Sequence, residues 1–259
     1  MAQVYRGTGT SSANTGAGSP LTPGLPAGYQ AGDLLIVAVE TDQGNVISIA
    51  NWTQASNSPI NSSANLYVCT LHVYYRYATG DANDACSINI SAANHGIAQM
   101  IAFYNTVQTG DPFDDVDQAS TDSDASSQYS TPSLTTTGNA EYCVVFIAEG
   151  QDSSSGGSMT TNNANCSSVT QVFSIGTSTG NGGQVGCGFG IKDSAGVVGA
   201  FTGTIPYASP RSIAIWVGAL KNPVSGPTNV KSYNTNLKAN IKTINTNPIA
   251  NVKSLDTNV

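Results

Sequence analysis

Residues Leu66–Tyr77 read LYVCTLHVYYRY, and this stretch decides the fold class. Tyr67, Cys69, Leu71, Val73, Tyr75 and Tyr77 fall on one side of an extended chain; Val68, Thr70, His72, Tyr74 and Arg76 fall on the other. Successive side chains of a strand point to opposite faces, so period two over twelve residues predicts a strand with one buried and one wetter face. On either side of it, short apolar stretches rich in Val, Ile, Tyr and Phe are separated by Gly, Pro, Asn, Asp and Ser. That is the punctuation of strands and turns.

Further strands are expected at Asp33–Glu40, Ala85–Ile90, Gly96–Tyr104, Glu141–Glu149, Thr170–Ile175, Gln184–Lys192, Gly199–Ile205 and Ser212–Leu220. Leu34–Val39 is apolar on both faces and belongs in the middle of a sheet. No segment of ten or more residues holds a 3.6-residue apolar rhythm free of breakers, so no helix is expected. Nine or ten strands without helices imply an all-β, antiparallel β-sandwich, jelly-roll-like in type, over residues 1–222. Between Gln108 and Asn139 there is no strand signal, only Asp111, Asp114, Asp115, Asp117, Asp122 and Asp124 among Ser and Thr. This segment, about 108–139, reads as a long acidic surface loop of one sandwich rather than a divide between two subdomains.

The 259 residues are 39% hydrophobic, enough for a sizeable core, but only 10% are charged. Ordinary soluble domains carry about 25%. A polar surface with few charges suits a shell, fibre or secreted protein. Net charge −7 argues against nucleic acid and anionic membranes as partners. Apolar runs are short, six residues at Leu34–Val39, so no membrane insertion is expected. The first residues, MAQVYRGTGTSSANTG, lack the pattern of a signal peptide. Cys69, Cys86, Cys143, Cys166 and Cys187 are odd in number with no C-x-x-C pair, which argues against a disulfide framework or structural zinc.

The last residues differ in kind. From Asn229 the chain repeats with period 11 as NVKSYNTNLKA, NIKTINTNPIA and NVKSLDTNV. Val230, Ile241 and Val252 form one apolar position, Tyr233, Ile244 and Leu255 a second, and Lys231, Lys242 and Lys253 recur beside them. Residues 1–228 hold 5 Lys or Arg and 15 Asp or Glu, whereas 229–259 hold 4 and 1, so the charge changes sign. Pro223, Gly226 and Pro227 mark the junction, giving a tail over residues 223–259. Two strongly apolar positions per unit cannot form a core alone, so the tail needs sister copies or a partner surface.

The body carries, in order, GDLLIVAV at Gly32–Val39, NWTQ at Asn51–Gln54, LHVYYRYATG at Leu71–Gly80 and AFYNT at Ala102–Thr106. DPFDD at Asp111–Asp115 and SPRSIAIWVGAL at Ser209–Leu220 follow. This succession resembles structural proteins of tailed bacteriophages, from tails, fibres and head surfaces. The tail is similar to the NIKSVNG-like repeats that end many phage virion proteins, with Asn-Thr-Asn in place of Asn-Gly. The resemblance spans residues 28–220 loosely and 229–259 more sharply. It implies a β-sandwich without catalysis, located in the virion, and supplies no catalytic residue.

Candidate chemistry is sparse. GTSTG at Gly176–Gly180 matches the G-x-S-x-G of hydrolase elbows, but no helix pattern follows Ser178, and His72 and His95 both lie upstream. Each His reads as solvated or structural. Asp115, Asp117, Asp122 and Asp124 could supply oxygens to Ca²⁺, without the EF-hand Gly and Glu; a solvated acidic loop is the plainer reading. Gly186, Gly188 and Gly190 line one face of a strand, fitting either a subunit contact or close packing within the chain. Trp52, Tyr74 and Tyr104 could form a sugar-stacking platform or belong to the core. Sequons at Asn51, Asn61, Asn89 and Asn165 are expected by chance in such a composition.

The expectation is a non-enzymatic virion component on the particle surface: a head decoration, tail or fibre part without a signal peptide. The repeats would hold it to sister copies, as a trimer, or to other virion proteins. The alternative is a carbohydrate-binding or adhesin module that recognises host glycans. No cofactor beyond the Ca²⁺ candidate is expected.

Overall fold

The first half of the chain builds one antiparallel sheet and the second half builds another. The computed structural model describes residues 2–14, 20–42, 49–62, 68–90, 95–121, 128–150, 159–178, 182–205 and 212–223. The chain divides into two units, Met1–Pro223 and Val224–Val259; the second, with the repeat tail, lies outside the described residues.

Sheet one holds β1 (Val4–Thr8), β2 (Ser12–Asn14), β3 (Leu34–Thr41), β4 (Thr53–Gln54), β5 (Ile60–Asn61), β6 (Thr70–Tyr77) and β7 (Gly96–Tyr104). Its strand order is β1-β7-β3-β6-β4, with β2 added to β7 and β5 to β6. The second half contributes β8 (Phe113–Thr121), β9 (Gln128–Ser130), β10 (Leu134–Thr136), β11 (Glu141–Glu149) and β12 (Ser167–Thr177). It continues with β13 (Gly183–Lys192), β14 (Gly196–Gly199), β15 (Thr202–Thr204) and β16 (Ile213–Leu220). Sheet two runs β8-β16-β11-β13-β12, while β9 pairs with β15 and β10 with β14 outside it. Counting the five main strands of each sheet by their order in the chain, both sheets read 1-5-2-4-3. Each sheet draws on one half of the chain, so the strands do not pass back and forth between sheets as the jelly-roll expectation implies.

Three apolar clusters explain why so many strands are hydrophobic on both faces. Between the sheets, Leu34, Ile36, Val73, Tyr75, Ile101 and Phe103 of sheet one meet Val144, Phe146, Phe173, Val185, Phe189 and Trp216 of sheet two. The outer face of sheet one (Leu35, Val37, Tyr74, Met100) is covered by Leu21, Ile49, Trp52, Cys86, Ile88 and Ile90. The outer face of sheet two (Val145, Ile147, Ile215, Val217) is covered by Tyr129, Leu134, Met159, Val198, Phe201 and Ile205.

This layering corrects the reading of β6. The strand runs from Thr70, later than Leu66, and Leu66 and Tyr67 lie outside the described residues. Its supposed wet face is buried, with Thr70, His72 and Tyr74 all under the covering loops. Ala85–Ile90 forms no regular strand: a short 3₁₀ turn at Ala82–Asp84 precedes it, and Ile88 makes a single bridge to Leu21. The expected strand Gly199–Ile205 is broken at Gly199, whose φ of +74° ends β14 before β15 begins.

The largest correction concerns the acidic loop at 108–139. It contains β8, the nine-residue edge strand of sheet two, together with β9 and β10. An edge strand pairs on one side only, here with β16, so it needs few apolar residues. Val116 packs on the inter-sheet cluster and Ala119 on the outer one, and that suffices. The aspartates have local tasks: Asp115 Oδ2 accepts the Thr135 N–H at 2.8 Å, and Asp114 accepts the Thr137 N–H at 2.5 Å.

Candidate functional site

Glu40 ends the apolar run of β3 on the face that meets sheet two, and His95 immediately precedes β7. Because β3 and β7 are neighbours, with Glu40 opposite Ile97, the two side chains meet although 55 residues separate them. His95 Nε2 lies 3.1 Å from each Glu40 carboxylate oxygen, and both groups are fully buried. Gly183 of β13 completes the site from the other sheet: an added Cβ would fall within 2.6 Å of His95 Nε2. Here the glycine leaves room for an acid–imidazole pair rather than for a turn.

Burial pushes the Glu40 carboxyl up to about 7, against the hydrogen bond and charge of His95, which hold it down. Asp42 and Glu149 add a smaller upward push. Cys69 lies in the same region, and its Sγ sits 3.5 Å from the Ser212 carbonyl as donor. Burial first, and the Glu40 charge second, drive that thiol far above its ordinary range. An acid, an imidazole and a thiol thus share one end of the sandwich, but the thiol stays protonated at neutral pH and is a poor nucleophile.

The histidines were read as solvated or structural. His95 is structural, and the fold supplies the carboxylate that sequence spacing did not show. His72 is buried on the outer face of sheet one beneath its loop layer, not solvated. Ser178 is exposed just after β12, and the next described element is the strand β13, so the strand-turn-helix of a nucleophile elbow does not form there.

The glycine stripe of β13 is filled from its own chain. A Cβ on Gly186 would come 2.6 Å from Met159 Sδ, on Gly188 2.8 Å from Thr161 Cγ2, and on Gly190 2.7 Å from the Cβ of Cys166. The packing alternative therefore describes it, and the subunit contact does not. Of the calcium candidates, Asp115 is bonded to Thr135 and Asp117 to the Gln118 N–H, while Asp122 and Asp124 lie outside the described residues. Among the described residues, no three His, Cys, Asp or Glu side chains gather to hold a metal ion. Val230, Lys231, Tyr233, Ile241, Lys242, Ile244, Val252, Lys253 and Leu255 lie outside the described residues. No helix among the described residues is long and apolar enough to cross a membrane.

The proposed sugar platform does not assemble. Trp52 and Tyr74 are buried in the outer cluster of sheet one, and the Tyr104 ring is covered by the Arg6 guanidinium, 4.5 Å from its centroid. The adjacent positions instead line an open groove. β4 begins at Thr53, opposite Tyr75, while β6 runs on to Tyr77. Asn51, Thr53, Tyr75, Arg76, Tyr77 and Asp111 surround a groove of about 550 Å³ at this rim. The Tyr77 hydroxyl donates to the Gly110 carbonyl at 3.2 Å, and Tyr75 is hydrogen-bonded to the Thr53 side chain. Of the three aromatic residues expected there, only Tyr74 belongs to β6, and it lies on the covered face. The alternation of β6 was visible, but which face would be covered was not.

No family model, curated protein or solved structure matches the chain.

Proposed function

We propose that the protein is a non-catalytic structural component of a bacteriophage virion, carried on the particle surface and held by its C-terminal repeats. One observation carries the division of labour. Among the described residues of the body, Val197 is the only large hydrophobic side chain left exposed, at 61%. The inner faces of the two sheets pack on each other and the outer faces are covered by the chain's own loops, so the described body offers no apolar patch of the size that drives stable association. Association falls to the repeats, with their paired apolar positions Val230/Tyr233, Ile241/Ile244 and Val252/Leu255. Lys231, Lys242 and Lys253 then face acidic partner surfaces, and repetition supplies avidity from weak individual contacts. The low content of charged residues and the resemblance of the body's motifs to phage structural proteins support the same reading.

Light scattering of the full chain and of a chain ending at Lys221 tests it. The full chain is expected to be a defined oligomer, a trimer on this reading, and the shortened chain a folded monomer. Two monomers would remove assembly from the repeats, and an oligomer from the body alone would locate it elsewhere.

A further inference from the structure

We infer that the rim groove beside the end of β6 is a binding site for a neutral saccharide. Its volume of about 550 Å³ is of the size that small ligands occupy. Its lining is mixed: the two phenol side chains of Tyr75 and Tyr77, the Thr53 hydroxyl, the Asn51 amide and the Asp111 carboxylate. Asn51, Thr53 and Asp111 are exposed, and the tyrosines are held in place by Thr53 and Gly110. Tyr75 also packs edge-on against Tyr77 and Phe113, at 6.4 and 5.5 Å between centroids, so the wall is rigid. Donors and acceptors alternating beside aromatic edges match the hydroxyls and C–H faces of a sugar ring.

The charges select among sugars. Among the described residues Arg76 is the one cation of the lining, and it is committed elsewhere. Its Nε bonds Asp84 at 2.9 Å, its Nη1 bonds the Asn51 carbonyl at 2.9 Å and its Nη2 bonds Thr79 at 3.1 Å. Among the described residues no other cation lines the groove to receive a carboxylate, sulfate or phosphate; the nearby Lys221 ammonium donates to the Asp111 carbonyl at 3.1 Å, and the Asp111 carboxylate repels an anion. A lipid or an apolar peptide would leave these polar groups without partners. The ligand class that remains is an uncharged polyol ring.

Saturation-transfer NMR tests this with the full chain and methyl glycosides of glucose, galactose, mannose, rhamnose and N-acetylglucosamine at millimolar concentration, with 3′-sialyllactose against lactose as the charge comparison. At least one neutral glycoside is expected to receive saturation, and sialyllactose to bind no better than lactose. The double variant Asn51→Ala/Asp111→Ala changes two exposed side chains and should weaken that signal about tenfold, and Thr53→Arg, which fills the groove, should abolish it. Absence of transfer to every neutral sugar would overturn the inference. So would an undiminished signal in both variants at unchanged melting temperature, or a clear preference for the sialylated sugar.

Discussion

Residues 4–104 and 113–220 repeat one plan with different materials. In each, the fifth strand lies between the first and second, and the fourth carries the third on its outer edge. The covering layers correspond as well. Leu21 bridges Ile88 over sheet one, and Tyr129 pairs with Gly203 over sheet two; in both cases the segment after the first strand meets the segment before the fifth. The fourth strands differ most. β6 turns His72, Tyr74 and Arg76 outward, whereas β13 turns out Gly186, Gly188 and Gly190. Sheet one fills its outer layer with strand side chains. Sheet two lets Met159, Thr161 and Cys166 descend onto bare backbone. The same topology therefore accepts bulk from either partner, provided the layer is filled once.

The second strands also differ at their ends. β3 carries Glu40 one residue before its end, facing the other sheet and bonded to His95, while β11 finishes with Glu149 on the outer side, beside Gln184 and Ile205. Both halves thus place a buried carboxylate at the same rim but on opposite faces.

The sharpest way to break this comparison is to ask whether the halves are energetically one. Trp216 packs against Phe113 and Phe146, and its indole N–H donates to the Ser56 carbonyl of the first half at 2.9 Å. Trp216→Ala should cost about 4 kcal/mol, and denaturant unfolding should remain a single transition. Two separated transitions would mean that the halves stand alone.

Next in size is the pH response of Glu40. Its carboxyl is held up at about 7 in the folded protein against an ordinary value of 4.5. Between those values the folded state binds a proton that the unfolded state does not. Stability is therefore fully present below about pH 4.5 and falls as pH rises through 7, by on the order of 3 kcal/mol. Glu40→Gln should flatten that decline in urea titrations at pH 5 and 8. An equal decline in the variant would show that Glu40 does not take up this proton on folding.

The smallest effect compares the fourth strands directly. Gly188→Val should cost about 2 kcal/mol by overpacking against Thr161, whereas Tyr74→Val in sheet one should cost as much by opening a void. Restoring Gly188→Val with Thr161→Gly would identify the clash as the cause. A failure of the second change to recover any melting temperature would place the strain elsewhere.

Much of the fold was legible, and the reasons it was not elsewhere are physical. β3, β7, β11 and β16 lie at or near the sheet centres, so their apolar runs are unbroken and readable. β8 escaped notice because an edge strand can be built from aspartates that bond neighbouring backbone. The wet face assigned to β6 was wrong because alternation reports two environments, not which of them meets water. Trp52 and Tyr74 were visible as aromatic residues, but only the loop layer decides that they are covered. The Glu40–His95 pair has no motif. Its traces are a carboxylate closing an apolar run and the doublet Gly182-Gly183 at the start of another strand.

The strand order also sets a timetable for synthesis. Val4 pairs with Tyr104, and Phe113 with Leu220, so each opening strand is made about a hundred residues before the strand that receives it. At roughly 5–20 residues per second, that interval lasts about 5–20 s on a ribosome. Through it β1 and β8 stand as bare edges, each able to pair with a stranger. The aspartates of β8, which hid it as a strand, give such a waiting edge the charge that discourages pairing with another chain.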